Sequence, residues 1–135
     1  MERSFTILIA DRNRRIREFL RRDFVSDGYS VLLADDMSDL ASMIRQDDTL
    51  DLMILDDEIL ALEGRRIIEQ LGNRIPPLPF IVHSFSTESV DDDIVRASSA
   101  LVEKRGDIEG LKQAVKEVLR TQYPHRFSHA HLGTE

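Results

Sequence analysis

The sequence predicts an α/β domain built on a doubly wound, five-stranded parallel sheet, for which right-handed crossovers leave few strand orders, 2-1-3-4-5 being the one taken here. Three observations carry this expectation. Five short apolar runs alternate strictly with segments of helical period, the pattern of a parallel sheet covered by helices on both faces. The third run, Asp51 to Asp56, is apolar on both faces, as a central parallel strand must be. Single polar residues fall at the carboxyl ends of the runs, where doubly wound sheets place their ligands.

Taken in order, Phe5 to Ala10 reads as the first strand. Residues 13 to 26 read as a helix with Ile16, Phe19, Leu20 and Phe24 on one stripe, and Gly28 as its stop. Tyr29 to Ala34 forms the second strand, and residues 37 to 46 a helix with Met37, Leu40, Ala41 and Ile44 inward. Asp51 to Asp56 is the third strand. Residues 64 to 72 form a helix with Ile67, Ile68 and Leu71 inward, ended by Gly72 and the Pro-rich stretch at 76 to 79. Phe80 to Ser84 is the fourth strand, residues 88 to 98 an acidic helix, and Ala100 to Glu103 a short fifth strand. Residues 107 to 121 form the last helix, capped by Asp107, with Ile108, Leu111, Val115, Val118 and Leu119 inward. This places one domain at 1–121 and a patternless tail at 122–135.

Composition narrows the function. Eighteen basic and twenty-five acidic side chains give a net charge of −7, which disfavours a general nucleic-acid surface. The absence of cysteine removes disulfides, thiolate metal sites and thiol catalysis together. No leader pattern opens the chain, and no apolar run approaches the ~18 residues of a membrane span, so a cytoplasmic protein without a membrane partner is expected.

Four strand ends carry one polar residue each: Asp11, Asp56, Ser84 and Lys104. Alone, each acid reads as a turn or cap residue, Ser84 as a cap and Lys104 as a loop cation. Together they lie at equivalent positions on adjacent strands 1, 3, 4 and 5, with Asp11 and Asp56 about 5 Å apart in backbone. Two carboxylates suit a hard cation such as Mg²⁺. An Asp carboxylate can attack phosphorus and form an acyl phosphate. A lysine ammonium and a hydroxyl can hold the phosphoryl oxygens.

These residues resemble a response-regulator receiver domain of two-component signalling, over about residues 5 to 121. D-L-M-I-L-D-D-E-I-L-A-L-E-G at 51–64 is similar to the phosphoacceptor strand and loop, with Asp56 at the phosphorylated position and Gly64 at the usual glycine. P-F-I-V-H-S at 79–84 is similar to the fourth strand, with Ser84 at the switch hydroxyl. L-V-E-K at 101–104 places Lys104 at the family lysine, and I-L-I-A-D at 7–11 places Asp11 at the first acidic position. The resemblance implies a flavodoxin-like (βα)5 receiver fold. It also implies phosphorylation of Asp56 by a histidine kinase or phosphotransfer protein, Mg²⁺ held by Asp11 and Asp56, and a shifting surface near the fourth helix that signals to an output protein. The expected activity is that of a stand-alone phosphoacceptor rather than an enzyme, with no direct nucleic-acid output.

Departures from the family pattern are visible. Arg12 stands where the family has a second, metal-ligating acid, and opposes a metal by charge. Its guanidinium could instead pair with Asp56 or with Glu58, which lies two residues beyond Asp56 and is a third candidate metal ligand. Phe85 follows Ser84 where a small residue is usual and narrows access to Asp56. Leu101 occupies the aromatic switch position. Leu60 and Arg105 replace usual prolines. In the family the first helix docks the kinase, so the arginines there, Arg14 and Arg15 among them, are expected near that partner; a solvated face is the plainer reading. Asp91, Asp92 and Asp93 suit a helix start. His125, His129 and His131 lack the context of a metal site.

Two alternatives follow. One is a degenerate receiver that acts as a phosphorylation-independent interaction module. The other is a phosphatase similar to the haloacid dehalogenases, suggested by Asp56-Asp57-Glu58 but opposed by the motif's place on the third strand and by the lack of room for a cap. A flavin site is disfavoured further, because the Arg-Asn-Arg-Arg loop after the first strand lacks small residues to cradle a phosphate.

Overall fold

The computed structural model describes residues 4–127. Its elements in chain order are β1 (Thr6–Ala10), α1 (Arg14–Ser26), β2 (Ser30–Leu33), α2 (Met37–Gln46), β3 (Leu52–Asp56), α3 (Asp57–Asn73), β4 (Phe80–Ser84), a 3₁₀ turn (Thr87–Ser89), α4 (Asp92–Ala97), β5 (Ala100–Glu103) and α5 (Glu109–Gln122). All four strand pairings are parallel, and the order is β2-β1-β3-β4-β5. The predicted architecture is the observed one.

Alternation along the strands divides the core into two layers. Leu8, Met53, Leu55, Phe80 and Val82 face Leu40, Ile44, Ile67 and Leu71 of α2 and α3. Ile7, Ile9, Leu52, Ile54 and Ile81 face Leu20 and Phe24 of α1 and Leu111, Val115 and Leu119 of α5. Both faces of β1, β3 and β4 are sealed, which is why these strands read as unbroken apolar runs.

The helix ends explain where the sequence reading needs correction. Asn13 caps α1 by accepting from the amides of Arg15 and Ile16, and Gly28, at φ 98°, supplies the left-handed residue after it. Phe19 is 43% exposed and so leaves the inward stripe expected of it. The third helix begins at Asp57, not at residue 64. Asp57 and Glu58 sit in its first turn, where negative charge is favourable, and Ile59 and Leu60 are buried. The two helical pieces meet at a kink, where Glu63 has φ −138° and ψ 24°. The fourth helix is shorter than predicted. Asp91 caps it through the Asp93 amide, so residues 88–91 stay outside. Asp107 bonds the Glu109 amide at 3.1 Å, but Ile108 occupies the cap position of α5.

Residues 123–127, assigned to the tail from sequence, pack against the amino-terminal edge of the sheet, with 124–127 helical. The Tyr123 hydroxyl donates to the Asp51 carbonyl at 2.7 Å. The Arg126 guanidinium grips the buried Asp51 carboxylate at 2.7 and 3.1 Å and lies 4.5 Å over the Phe5 ring. The rings of Tyr123 and Phe127 also pack on Phe5. His129 and His131 lie outside the described residues; His125 is exposed.

Candidate functional site: an acid pair bridged by lysine

The register of β1, β3 and β4 brings three strand ends level. Ala10 pairs with Leu55, so Asp11 comes beside Asp56, and Asp56 pairs with His83. The Lys104 amide donates to the Ser84 carbonyl at 2.7 Å, which fixes the start of the loop after β5 over β4. Four of the polar residues predicted to form the site, Asp11, Asp56, Ser84 and Lys104, are therefore gathered at one end of the sheet, and all are buried.

Lys104 is the hinge of the arrangement. Its Nζ donates to Asp56 Oδ1 at 2.8 Å and lies 2.9 Å from Asp11 Oδ2. Burial pulls the ammonium pKa down, but the hydrogen bonds and charges of Asp56 and Asp11 outweigh it, and the net direction is upward. Lys104 is thus a fixed cation across the neutral range. Asp11 is further held by the Asn13 amide, which donates to its Oδ1 at 2.8 Å, while Arg17 donates to its carbonyl. Asp56 Oδ2, by contrast, has no hydrogen-bond partner among the described residues and is not among their sealed polar atoms. Two carboxylates thus share one ammonium.

Other residues are placed differently from expectation. Ser84 is fully buried, but its hydroxyl donates to Asp57 Oδ2 at 2.7 Å rather than to Asp56, and its oxygen accepts from the Ser86 amide at 3.0 Å. Asp57 was read from sequence only as part of an alternative phosphatase motif; its place one residue beyond Asp56, opening a helix beside β4, was the available signal. Arg12 turns to Glu58, at 3.9 Å with both side chains more than half exposed, and so takes the Glu58 pairing rather than that with Asp56. Phe85 is 68% exposed and sets its ring 4.9 Å from Lys104 Nζ, so it covers the ammonium. Leu101 is half-buried and packs into the layer under α2 and α3. Arg14 and Arg15 are exposed on α1.

His83 was not singled out from sequence as a site residue. It is buried, and its Nδ1 has no hydrogen-bond partner among the described residues. Burial and then the Lys104 charge press its pKa down to about 4, against an opposing pull from Asp57, so the imidazole is neutral at neutral pH.

The donor chemistry can be tested against a divalent cation. Asp11 and Asp56 offer two adjacent hard oxygen donors, which suits an ion that keeps several waters. Glu58 is not gathered with them: no group of three metal-ligating acids or histidines exists among the described residues. The donor chemistry of Asp11 and Asp56 fits Mg²⁺. Among the described residues no helix is long and apolar enough to cross a membrane.

Doubly wound order, an acid pair and a lysine at the ends of adjacent strands put the candidate site at the carboxyl edge of the sheet, where such folds bind ligands. The family of response regulator receiver domains matches residues 7–116, and the chain belongs to it. It is thus a receiver of two-component signalling, a family of phosphoacceptors that typically do not act as enzymes. The response regulator MprA of Mycobacterium tuberculosis is 38% identical over 79 residues, 58% of this chain and 34% of that protein. MprA of Mycobacterium leprae is 30% identical over 121 residues, 87% of this chain and 52% of that protein. The chain therefore spans about a third to a half of the curated relatives it matches. Its fold is similar to that of the response regulator TrrA from Thermotoga maritima, solved in complex with Mg(2+)-BeF. The TM-score is 0.75 at 23% identity, covering 85% of this chain and 99% of that one. TrrA has also been solved in complex with the histidine kinase ThkA; that match has a TM-score of 0.71 at 24% identity, over 85% of this chain and 98% of the other.

Proposed function

We propose that the chain accepts a phosphoryl group on Asp56 from a phosphohistidine of a histidine kinase or phosphotransfer protein and signals by binding another protein. The observation that carries this reading is the asymmetry of Asp56: Oδ1 is held by Lys104 at 2.8 Å, and Oδ2 is unpartnered among the described residues. In the transfer, an Asp56 oxygen attacks phosphorus and a P–O bond forms. The P–N bond breaks, and its electron pair leaves with the imidazole of the donor. The product is an acyl phosphate whose added negative charge lies within reach of the Lys104 ammonium.

Asp11 and Asp56 are the residues that would hold Mg²⁺, which when bound supplies neutralisation of the phosphoryl oxygens. Arg12 and Glu58 form a neutral exposed pair beside them. The kinase side of the reaction fits α1, where Arg14 and Arg15 are exposed, and on this reading the protein meets its kinase in the cytoplasm.

The test is intact-protein mass spectrometry after incubation with acetyl phosphate and Mg²⁺. One phosphoryl mass should be gained, and lost both in Asp56→Asn and in EDTA. A second reading, a receiver that works unphosphorylated, is favoured by one observation: the Lys104 ammonium bridges both acids. It predicts no adduct under any of these conditions.

A further inference from the structure

We propose that Asp57 is a positioning residue that holds the Ser84 hydroxyl in the resting protein and competes with a phosphoryl oxygen on Asp56 for its single proton. The inference rests on the reading of Asp56 as phosphoacceptor and extends it to a residue that sets how readily the modified state forms.

The geometry is local and complete. Asp56 is the cap of α3 and Asp57 its first helical residue, so the backbone turns between them and their side chains diverge. Asp56 goes to Lys104, and Asp57 goes to β4. Ser84 has one O–H, and it is spent on Asp57 Oδ2 at 2.7 Å. The same oxygen accepts from the Ser86 amide, and the residue is fully buried, so no free hydroxyl is held in reserve. The Ser84 backbone is tied to β5 through its carbonyl. The proton is released when the O–H turns about the Cβ–Oγ bond, when the side chain changes rotamer or when Asp57 swings away, and each of these breaks the bond to Asp57. A phosphoryl oxygen on Asp56 must therefore win this donor from a carboxylate, and a hydrogen bond to a carboxylate is among the stronger ones to displace.

Asp57 also adds negative charge near the incoming anion, so competition and repulsion must be separated. The experiment is a double-mutant cycle with beryllofluoride as the phosphoryl mimic, in the presence of Mg²⁺. The set is the unmodified chain, Asp57→Ala, Ser84→Ala and the double variant. Asp57→Ala should bind the probe about tenfold more tightly, and this gain should vanish in the Ser84→Ala background. Asp57→Asn, which keeps the shape and an acceptor oxygen, should gain less. An equal gain in both backgrounds shows that Asp57 acts by charge alone and overturns the proposal, as does no gain at all.

A readout without any probe keeps this distinct from the function of Asp56. The Ser86 amide, which bonds Ser84 Oγ, is followed by nitrogen-15 NMR in the apo protein. Asp57→Ala should shift it about as far as Ser84→Ala does, with little further change in the double variant. An unmoved Ser86 amide in Asp57→Ala overturns the latch. Failure of every protein to take the probe counts against phosphorylation of Asp56, and the NMR result then decides the latch.

Discussion

The two ends of this sheet each bury carboxylates against a cation, and they do it in opposite ways. At the amino end, among the described residues, the Asp51 carboxylate meets the guanidinium of Arg126. Asp51 Oδ1 accepts from Arg126, Oδ2 accepts from Arg126 and from the Thr6 amide, and Tyr123 closes its carbonyl. At the carboxyl end two acids meet one ammonium, Asp56 Oδ2 has no partner among the described residues, and a neutral histidine with an orphaned nitrogen lies alongside. The first end is satisfied and holds the chain shut. The second is left with surplus negative charge and an unpaired oxygen, an arrangement that stability alone would not select. The contrast separates a clamp from a site without reference to any relative.

The largest effect should come from removing the shared cation. Lys104→Met leaves two buried carboxylates facing each other and should cost about 3 kcal/mol in urea unfolding at neutral pH with chelator present. Mg²⁺ should restore more of this loss than it adds to the unmodified protein. Next come the two acids, compared by the same substitution. Asp51→Asn breaks a bidentate pair and should cost about 2 kcal/mol. Asp56→Asn removes one of two like charges sharing an ammonium, and should cost nothing or gain up to about 1 kcal/mol. Equal losses at the two ends would erase the distinction.

His83 gives an effect confined to a defined pH window. Its folded pKa is pushed down to about 4, from an ordinary 6.5 in the unfolded chain. The unfolded chain therefore takes up the proton first. Stability from this group is complete above pH 6.5 and drains away as pH falls toward 4, by about 3 kcal/mol in all. His83→Leu should flatten that part of the profile and, by removing the orphaned Nδ1, add about 1 kcal/mol at pH 7.5. The smallest stability effect belongs to Arg12→Gln. At 3.9 Å and largely exposed, the Arg12–Glu58 pair should matter by less than about 0.5 kcal/mol in thermal unfolding. Arg12→Asp, in contrast, should tighten Mg²⁺ by about tenfold in calorimetric titration, because it adds an acid beside Asp11.

The sheet was legible because its strands are buried on both faces, so runs such as Leu52–Leu55 and Phe80–Val82 carry no competing signal. The pocket was legible for a related reason: Asp11, Asp56, Ser84 and Lys104 are single polar interruptions at the ends of such runs. The start of α3 was misplaced, although the acids and good helix formers of residues 57–63 already favoured a helix. Side-chain choices were not legible at all. Ser84 has two carboxylates to choose between, Arg12 likewise, and sequence spacing does not rank them. The Asp51–Arg126 clamp joins residues 75 apart in sequence, and neither end carries a local pattern to announce it.

The proposal for the open end of the sheet is that Asp56 is its nucleophile. The direct measurement is site mapping of the acyl phosphate. The protein is treated with acetyl phosphate and Mg²⁺, reduced with borohydride, which converts an aspartyl phosphate to homoserine, and digested for peptide mass spectrometry. Homoserine at position 56, with Asp11, Asp51 and Asp57 unchanged, is the predicted result. Label at Asp57 or Asp11, or none anywhere, would contradict it.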